Sequence, residues 1–311
     1  MSAQLATRGY QQLLQLQQRI HQFTVAAAEE LEADFARHDT PLYVGTLQYL
    51  ALAPLHGGLH VEFYGEVYDE PLFWTLECLS RQEVADTLVS LTFTGPDSGA
   101  NGTREWEFTS LLNSDVRFPA LRSLVISPTE PQHHNASLIQ RAGSIMEEGG
   151  EVARFCAKAP NLTQLVLPNS PNRDFFQVPL PQLATLRIGG NFDTQQFIDN
   201  LAASSNLPNL RLLDFTESTE LQSTWADVRE DGLVTRFSSY QALFASPVCD
   251  VLRVLVLRNS CLSLEQLQAL NALRPNLQFQ VVQATHGGYV SHFARDVFPW
   301  RHLVQADPGQ R

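Results

Sequence analysis

The sequence predicts an α/β fold: a repeating solenoid in which a curved parallel sheet carries helices on its outer side, preceded by an N-terminal helix and hairpin cap. Three observations predict it. One short apolar pattern, a residue followed at +3 and +5 by two more, recurs six times between residues 88 and 257. Several copies lead into a stretch with helical rather than strand spacing, so each unit reads as a strand and then a helix. At 311 residues, 44% hydrophobic and 17% charged, the chain has the apolar content of a packed protein rather than a disordered one.

The elements follow in chain order. Residues 8 to 37 form an amphipathic helix with Leu13, Leu16, Ile20, Phe23, Ala27, Leu31 and Phe35 along one stripe. Two strand-like runs, Leu42 to Leu52 and Leu59 to Val67, are joined by Ala53-Pro-Leu-His-Gly-Gly58 and predict a hairpin. The repeated pattern then appears as Leu88/Leu91/Phe93, Leu121/Leu124/Ile126, Leu162/Leu165/Leu167, Leu183/Leu186/Ile188, Leu210/Leu213/Phe215 and Leu252/Leu255/Leu257. Four copies have a proline just before the first leucine, at Pro119, Pro160, Pro181 and Pro208. A degenerate seventh copy starts at Arg274-Pro-Asn-Leu277. Helical spacing is expected over Ala136 to Ala157, Asn191 to Asn206 and Leu264 to Leu273.

These residues resemble the leucine-rich-repeat superfamily, whose repeat core reads LxxLxLxxN. The best match is Leu183-Ala-Thr-Leu186-Arg-Ile188-Gly-Gly-Asn191, and the asparagine position is filled elsewhere by Thr129, Ser170, Ser218 and Ser260. A side chain at that bend is expected to satisfy backbone groups of the neighbouring turn. The copy from Leu252 to Leu277 is the fullest, a strand then a helix in about 25 residues, and looks like the ribonuclease-inhibitor-like cytosolic class of repeat. Successive first leucines lie 33, 41, 21, 27, 42 and 25 residues apart, so the array is irregular. The longest inserts are Pro96 to Thr109 and Glu217 to Tyr240. The resemblance implies three parts: a cap or small fused domain over 1–85, the repeat array over 86–284, and a C-terminal cap and tail over 285–311 with Tyr289, Phe293, Phe298 and Trp300.

Charge and motifs exclude several chemistries. The formal net charge of −12 repels phosphate backbones and argues against nucleic acid as a general partner. No run approaches the ~18 apolar residues that span a bilayer, and residues 1 to 18 lack the basic-then-apolar layout of a signal peptide. The location expected is cytoplasmic, and the matches to the glycosylation pattern at Asn101, Asn135 and Asn161 are read as chance. Cys78, Cys156, Cys249 and Cys261 are scattered and read as reduced, buried thiols. Lys158 is the only lysine, placed where a cation meets a helix C-terminus. No phosphate loop, nucleophile elbow or HExxH motif occurs. The histidine pairs His56/His60 and His133/His134 offer two ligands where a metal site needs three or four. The acidic pairs Asp69-Glu70, Glu147-Glu148 and Glu230-Asp231 read as solvated surface. No catalytic residue, metal or cofactor is expected.

A binding surface is easier to place. In an LxxLxL strand the last two apolar side chains point inwards and those alternating with them point outwards. The outward residues are Thr92, Val125, Val166, Arg187, Asp214 and Val256, flanked by Gln164, Thr185, Thr216 and Arg258. The family resemblance implies that they line a concave sheet, apolar in its middle and more charged in its C-terminal half. Such a face suits a protein or peptide partner. The function expected is therefore a non-catalytic protein-binding scaffold. Two alternatives stand beside it: an acidic inhibitor or immunity-type protein that neutralises a basic enzyme, and an enzyme or adaptor module in the N-terminal region.

Overall fold

The computed structural model describes residues 7–38, 47–96, 103–128, 135–139, 148–189, 194–217, 235–258, 260 and 262–282. The expected C-terminal cap over 285–304 lies outside these residues, as do positions 218–234 of the second insert. The fold is mixed α/β. Nine strands form one sheet in chain order: β1 (Tyr49–Leu55), β2 (Gly58–Tyr64), β3 (Leu88–Thr94), β5 (Ser123–Ile126), β7 (Gln164–Leu167), β8 (Thr185–Ile188), β9 (Leu212–Thr216), β10 (Val254–Arg258) and β11 (Gln278–Val282). Only β1 runs antiparallel to its neighbour. The connecting helices 70–79, 109–113, 151–158, 197–203, 237–245 and 264–273, with a 3-10 turn at 173–177, touch one another in the same order as the strands.

The N-terminal helix, Arg8–His38, buries Leu13, Leu16 and Ile20 against helices 70–79 and 82–85 and against β1. β1 is the sheet's edge, where unpaired backbone groups would invite another chain. Here Gln17 Nε2 donates to the Leu50 carbonyl at 2.7 Å and Thr24 Oγ1 to the Gln48 carbonyl at 2.8 Å. The Arg19 guanidinium lies 3.6 Å from the centre of the Trp74 ring, a cation–π contact between the N-terminal helix and helix 70–79. Beyond Thr24 the stripe opens: residues 25 to 30 are partly or fully exposed, and the side chains of Leu31 and Phe35 lie outside the described set.

The expected hairpin forms with shorter strands, Leu55 pairing with Gly58 around a His56-Gly57 turn. Gly57 takes φ +89, which only glycine adopts freely. Residues 42–46 of the expected first run lie outside the described residues. β2 then pairs in parallel with β3, Val61 with Leu91 and Phe63 with Phe93, so the hairpin is continuous with the main sheet.

Five strands of the sheet are approached through the same backbone turn. The N–H of Leu121, Leu162, Leu183, Leu210 and Leu277 donates to the carbonyl three residues back, with proline second in each turn. Proline pre-sets the φ that such a turn needs there. The first four of these leucines are fully buried. Two further rows complete the core: Val61, Leu91, Leu124, Leu165, Leu186, Leu213 and Leu255, and the residues two places on from Phe63 to Leu257, all with almost no exposure. Phe197 stacks on Phe215 with centroids 5.0 Å apart, and Phe93, Trp106, Phe108, Phe155 and Phe118 chain the sheet to the helices near its N-terminal half.

Three expectations are corrected. The helix expected over Ala136 to Ala157 is instead a strand, β6 (Asn135–Ile139), and a helix at Glu151–Lys158; residues 140–147 lie outside the described set. The insert Pro96 to Thr109 carries β4 (Thr103–Glu107), which pairs in parallel with β6 as a separate two-stranded sheet. The helix expected over Asn191 to Asn206 spans only Phe197–Ala203. In contrast, Leu264–Leu273 is helical as expected, and Ser263 and Gln266 close a reciprocal cap at its start.

The stacking of Phe215 on Phe197 gives a direct check. Phe215→Ala is expected to cost about 3–5 kcal/mol in equilibrium urea unfolding. A loss below about 1 kcal/mol would contradict the described core.

Candidate functional site

The register brings the outward residues into one line. Glu62 on β2 pairs with Thr92, Thr92 with Val125, Val125 with Val166, Val166 with Arg187, Arg187 with Asp214, and Asp214 with Val256. Thus the six residues expected between the inward pairs stand side by side across β3 to β10, and Ala51, Glu62 and Gln280 extend the line in both directions. A second outward line runs two residues earlier through His60, Ser90, Ser123, Gln164 and Thr185. It is held laterally by His60 Nδ1 and Ser90 Oγ at 2.9 Å and by Ser123 Oγ donating to Gln164 Oε1 at 3.1 Å.

Arg258 stands one step off the line and couples to it diagonally. Its Nε and Nη2 donate to the two oxygens of Asp214 at 2.6 and 2.9 Å, a bidentate pair in which both side chains are largely buried. Arg187 reaches the same carboxylate from the neighbouring strand at 3.9 Å, and its side chain is 43% exposed. The outward face is not uniformly open. Val166, Val256 and Asp214 are each less than a tenth exposed, whereas Thr92, Val125 and Arg187 are part-exposed. At the other end of the line Glu62 accepts a hydrogen bond from Tyr49 Oη at 2.9 Å and lies 3.8 Å from His60 Nε2. Burial and the bond to Glu62 both raise the Tyr49 phenol above its ordinary value.

One acidic pair departs from expectation. Glu147 lies outside the described residues, but Glu148, expected as solvated surface, is 3% exposed. Its Oε1 accepts the N–H groups of Gly150 and Val152 at 2.9 Å each, and its Oε2 accepts that of Asn172 at 2.7 Å. It thereby ties the start of helix Glu151–Lys158 to the loop before the 3-10 turn. Glu151, also buried, accepts the Gly149 N–H at 2.6 Å. Burial pushes the Glu148 carboxyl up to about 7, the amides of Asn172 and Val152 pull it back, and the neighbouring Glu151 adds to the rise. Through these backbone amides the pair organises the start of the helix.

The remaining chemistry-bearing residues stay apart. Cys78, Cys156 and Cys249 are free and buried, with thiols raised chiefly by burial; Cys261 lies outside the described residues. Lys158 donates to the Ser114 carbonyl at the end of its helix, and burial lowers its ammonium below the usual lysine range. His56 sits in the hairpin turn and His60 on the outward face beside Ser90. Among the described residues no group of three or more His, Cys, Asp or Glu is placed to hold a metal ion, and no helix is long and apolar enough to cross a membrane. Ser260, expected at an asparagine position of the repeat, has its Oγ accepting the N–H of Leu262 in its own turn rather than a group of the neighbouring turn. Thr129, Asn191 and Ser218 lie outside the described residues.

Comparison of the chain with protein-family models finds no match, and comparison with curated protein sequences finds none either.

The Glu148 carboxyl gives a prediction with a definite sign. Its folded value lies above its ordinary 4.5, so the folded state holds a proton that the unfolded state releases. The stability it contributes is complete below about pH 4.5 and is lost as pH rises through about 7. Between pH 5 and pH 8, wild-type unfolding free energy should therefore drop relative to Glu148→Gln by on the order of 2 kcal/mol. Urea titrations of both chains at the two pH values measure it, and parallel pH dependences would sink the assignment.

Proposed function

We propose that the chain is a non-catalytic protein-binding scaffold, a leucine-rich-repeat solenoid whose outward strand line is the recognition surface. The observation that carries this reading is the unbroken register from Glu62 to Val256, which sets apolar and charged side chains of seven strands in one row. The recurring proline turn before five strands, and the helices layered in strand order, support a solenoid with short-range repeating contacts. The N-terminal helix covering the β1 edge supports a cap role for residues 1–85. Free buried thiols at Cys78, Cys156 and Cys249 suit a reducing, cytoplasmic setting. The net charge of −12 favours a basic partner as a second reading, an inhibitor of a basic enzyme whose association weakens with salt.

Asp214 is a poor residue to vary in a test, because removing it strands Arg258 beside Arg187. Thr92→Arg and Val125→Arg are better, since both positions are partly exposed and carry no charge partner. Each variant, melting as the wild type does, is expected to lose a protein that the wild type captures from native lysate. Capture of the same proteins by both variants would overturn the proposed surface. A captured partner that is basic and released by about 0.5 M salt favours the inhibitor reading.

A further inference from the structure

Along the outward line three uncharged residues separate Glu62 from Arg187, and Asp214, next beyond Arg187, is paired with Arg258. On β2 the Glu62 carboxylate has Tyr49 and His60 beside it, and no lysine or arginine forms an ion pair with it among the described residues. On β8 the Arg187 guanidinium is held by one long contact, 3.9 Å, to a carboxylate whose two oxygens already accept from Arg258. Thr92, Val125 and Val166 lie between. The side chains of Glu62 and Arg187 are 31% and 43% exposed, so both ends are reachable.

Four strand spacings separate the two charges, about 19 Å at ~4.8 Å each. An extended chain advances ~3.3 Å per residue, so about six residues cover that distance. Six is an even number, and residues an even number apart point to the same side of an extended chain. Positions two and four between the ends then also face the sheet, above the uncharged middle of the line. The parallel line through Ser90, Ser123 and Gln164 sets hydroxyl and amide groups alongside, where a peptide backbone laid across the strands needs partners.

We infer that the row binds an extended peptide segment, with a basic side chain at Glu62, an acidic one at Arg187 six positions away, and apolar side chains at the second and fourth positions between. The inference rests on the scaffold reading above and specifies its partner. Opposite charges at the two ends discriminate against a uniformly basic or uniformly acidic segment, which would meet like charge at one end. In the inhibitor reading a basic enzyme would be drawn by the chain's total charge, whereas this row selects by spacing.

The test is a selection of random nine-residue peptides displayed on phage against the full-length chain. Enriched peptides should carry opposite charges six positions apart with apolar residues at the two alternate positions between. A synthetic peptide of that kind should bind Arg187→Glu about tenfold more weakly by fluorescence anisotropy. Selection against Arg187→Glu should instead enrich two basic residues six apart. Arg187→Gln, which removes the charge and adds none, provides a milder variant should the glutamate disturb folding, and it too should weaken the wild-type peptide. Enriched peptides that lack the charge spacing yet are lost on Val125→Arg overturn this inference and leave the scaffold reading standing. Peptides that bind Val125→Arg as tightly as wild type overturn both. No enrichment at all overturns the peptide specificity.

Discussion

Every parallel strand from β7 to β10 is locked to its predecessor by a shared carbonyl. The carbonyl of Arg122 accepts the N–H groups of Thr163 and Gln164, that of Thr163 accepts Ala184 and Thr185, that of Ala184 accepts Arg211 and Leu212, and that of Arg211 accepts Arg253 and Val254. Distances run from 2.8 to 3.0 Å. Because side chains alternate with a period of two, a one-residue slip would exchange the inward and outward faces of a strand. These carbonyls set the starting phase of each strand, and the buried leucine rows hold it. The outward line exists only because the phase is kept through seven successive strands.

Irregularity in the chain is absorbed away from this ladder. The spacing between successive first leucines varies from 21 to 42 residues, yet the strand pairings stay in step. Extra length goes into the connections: the small β4–β6 sheet, whose buried Trp106 leans on Phe93, and the region around the buried Glu217, which accepts from Tyr240 Oη at 2.8 Å and from the Thr235 N–H at 2.7 Å. The Glu148 carboxyl performs the same task at another connection, its two oxygens accepting the amides of Gly150, Val152 and Asn172, while Glu151 accepts that of Gly149. Gly150 at φ +98 turns the chain into its helix there.

Much of the sheet was legible because period-two alternation and the proline before five of the first leucines are local signals. Arg187 and Asp214 fall on adjacent strands as the pattern implies. β2 escaped the repeat pattern because Gly58 stands where the other copies have leucine. A Cβ at Gly58 would meet the Thr87 carbonyl oxygen at 2.4 Å, so the close approach of two backbones erased the apolar residue that marks the motif. Glu62 was missed with it. The long helix expected over 136–157 fails because apolar spacing alone cannot locate a break, and the Gly149-Gly150 pair was the signal passed over. The Ser263-to-Gln266 cap is likewise a local signal, a serine followed three residues later by glutamine. The depth of the outward residues was not legible: Asp214 is buried by a diagonal pairing with Arg258, 44 residues away, which no local pattern encodes.

The account depends on a single continuous register, and amide hydrogen exchange followed by NMR on the full chain tests that most directly. The N–H groups of Thr163, Ala184, Arg211 and Arg253, which join consecutive strands, should exchange together and only through global unfolding. If one of them exchanges orders of magnitude faster than the rest under native conditions, the ladder is broken there and the row from Glu62 to Val256 is not one surface.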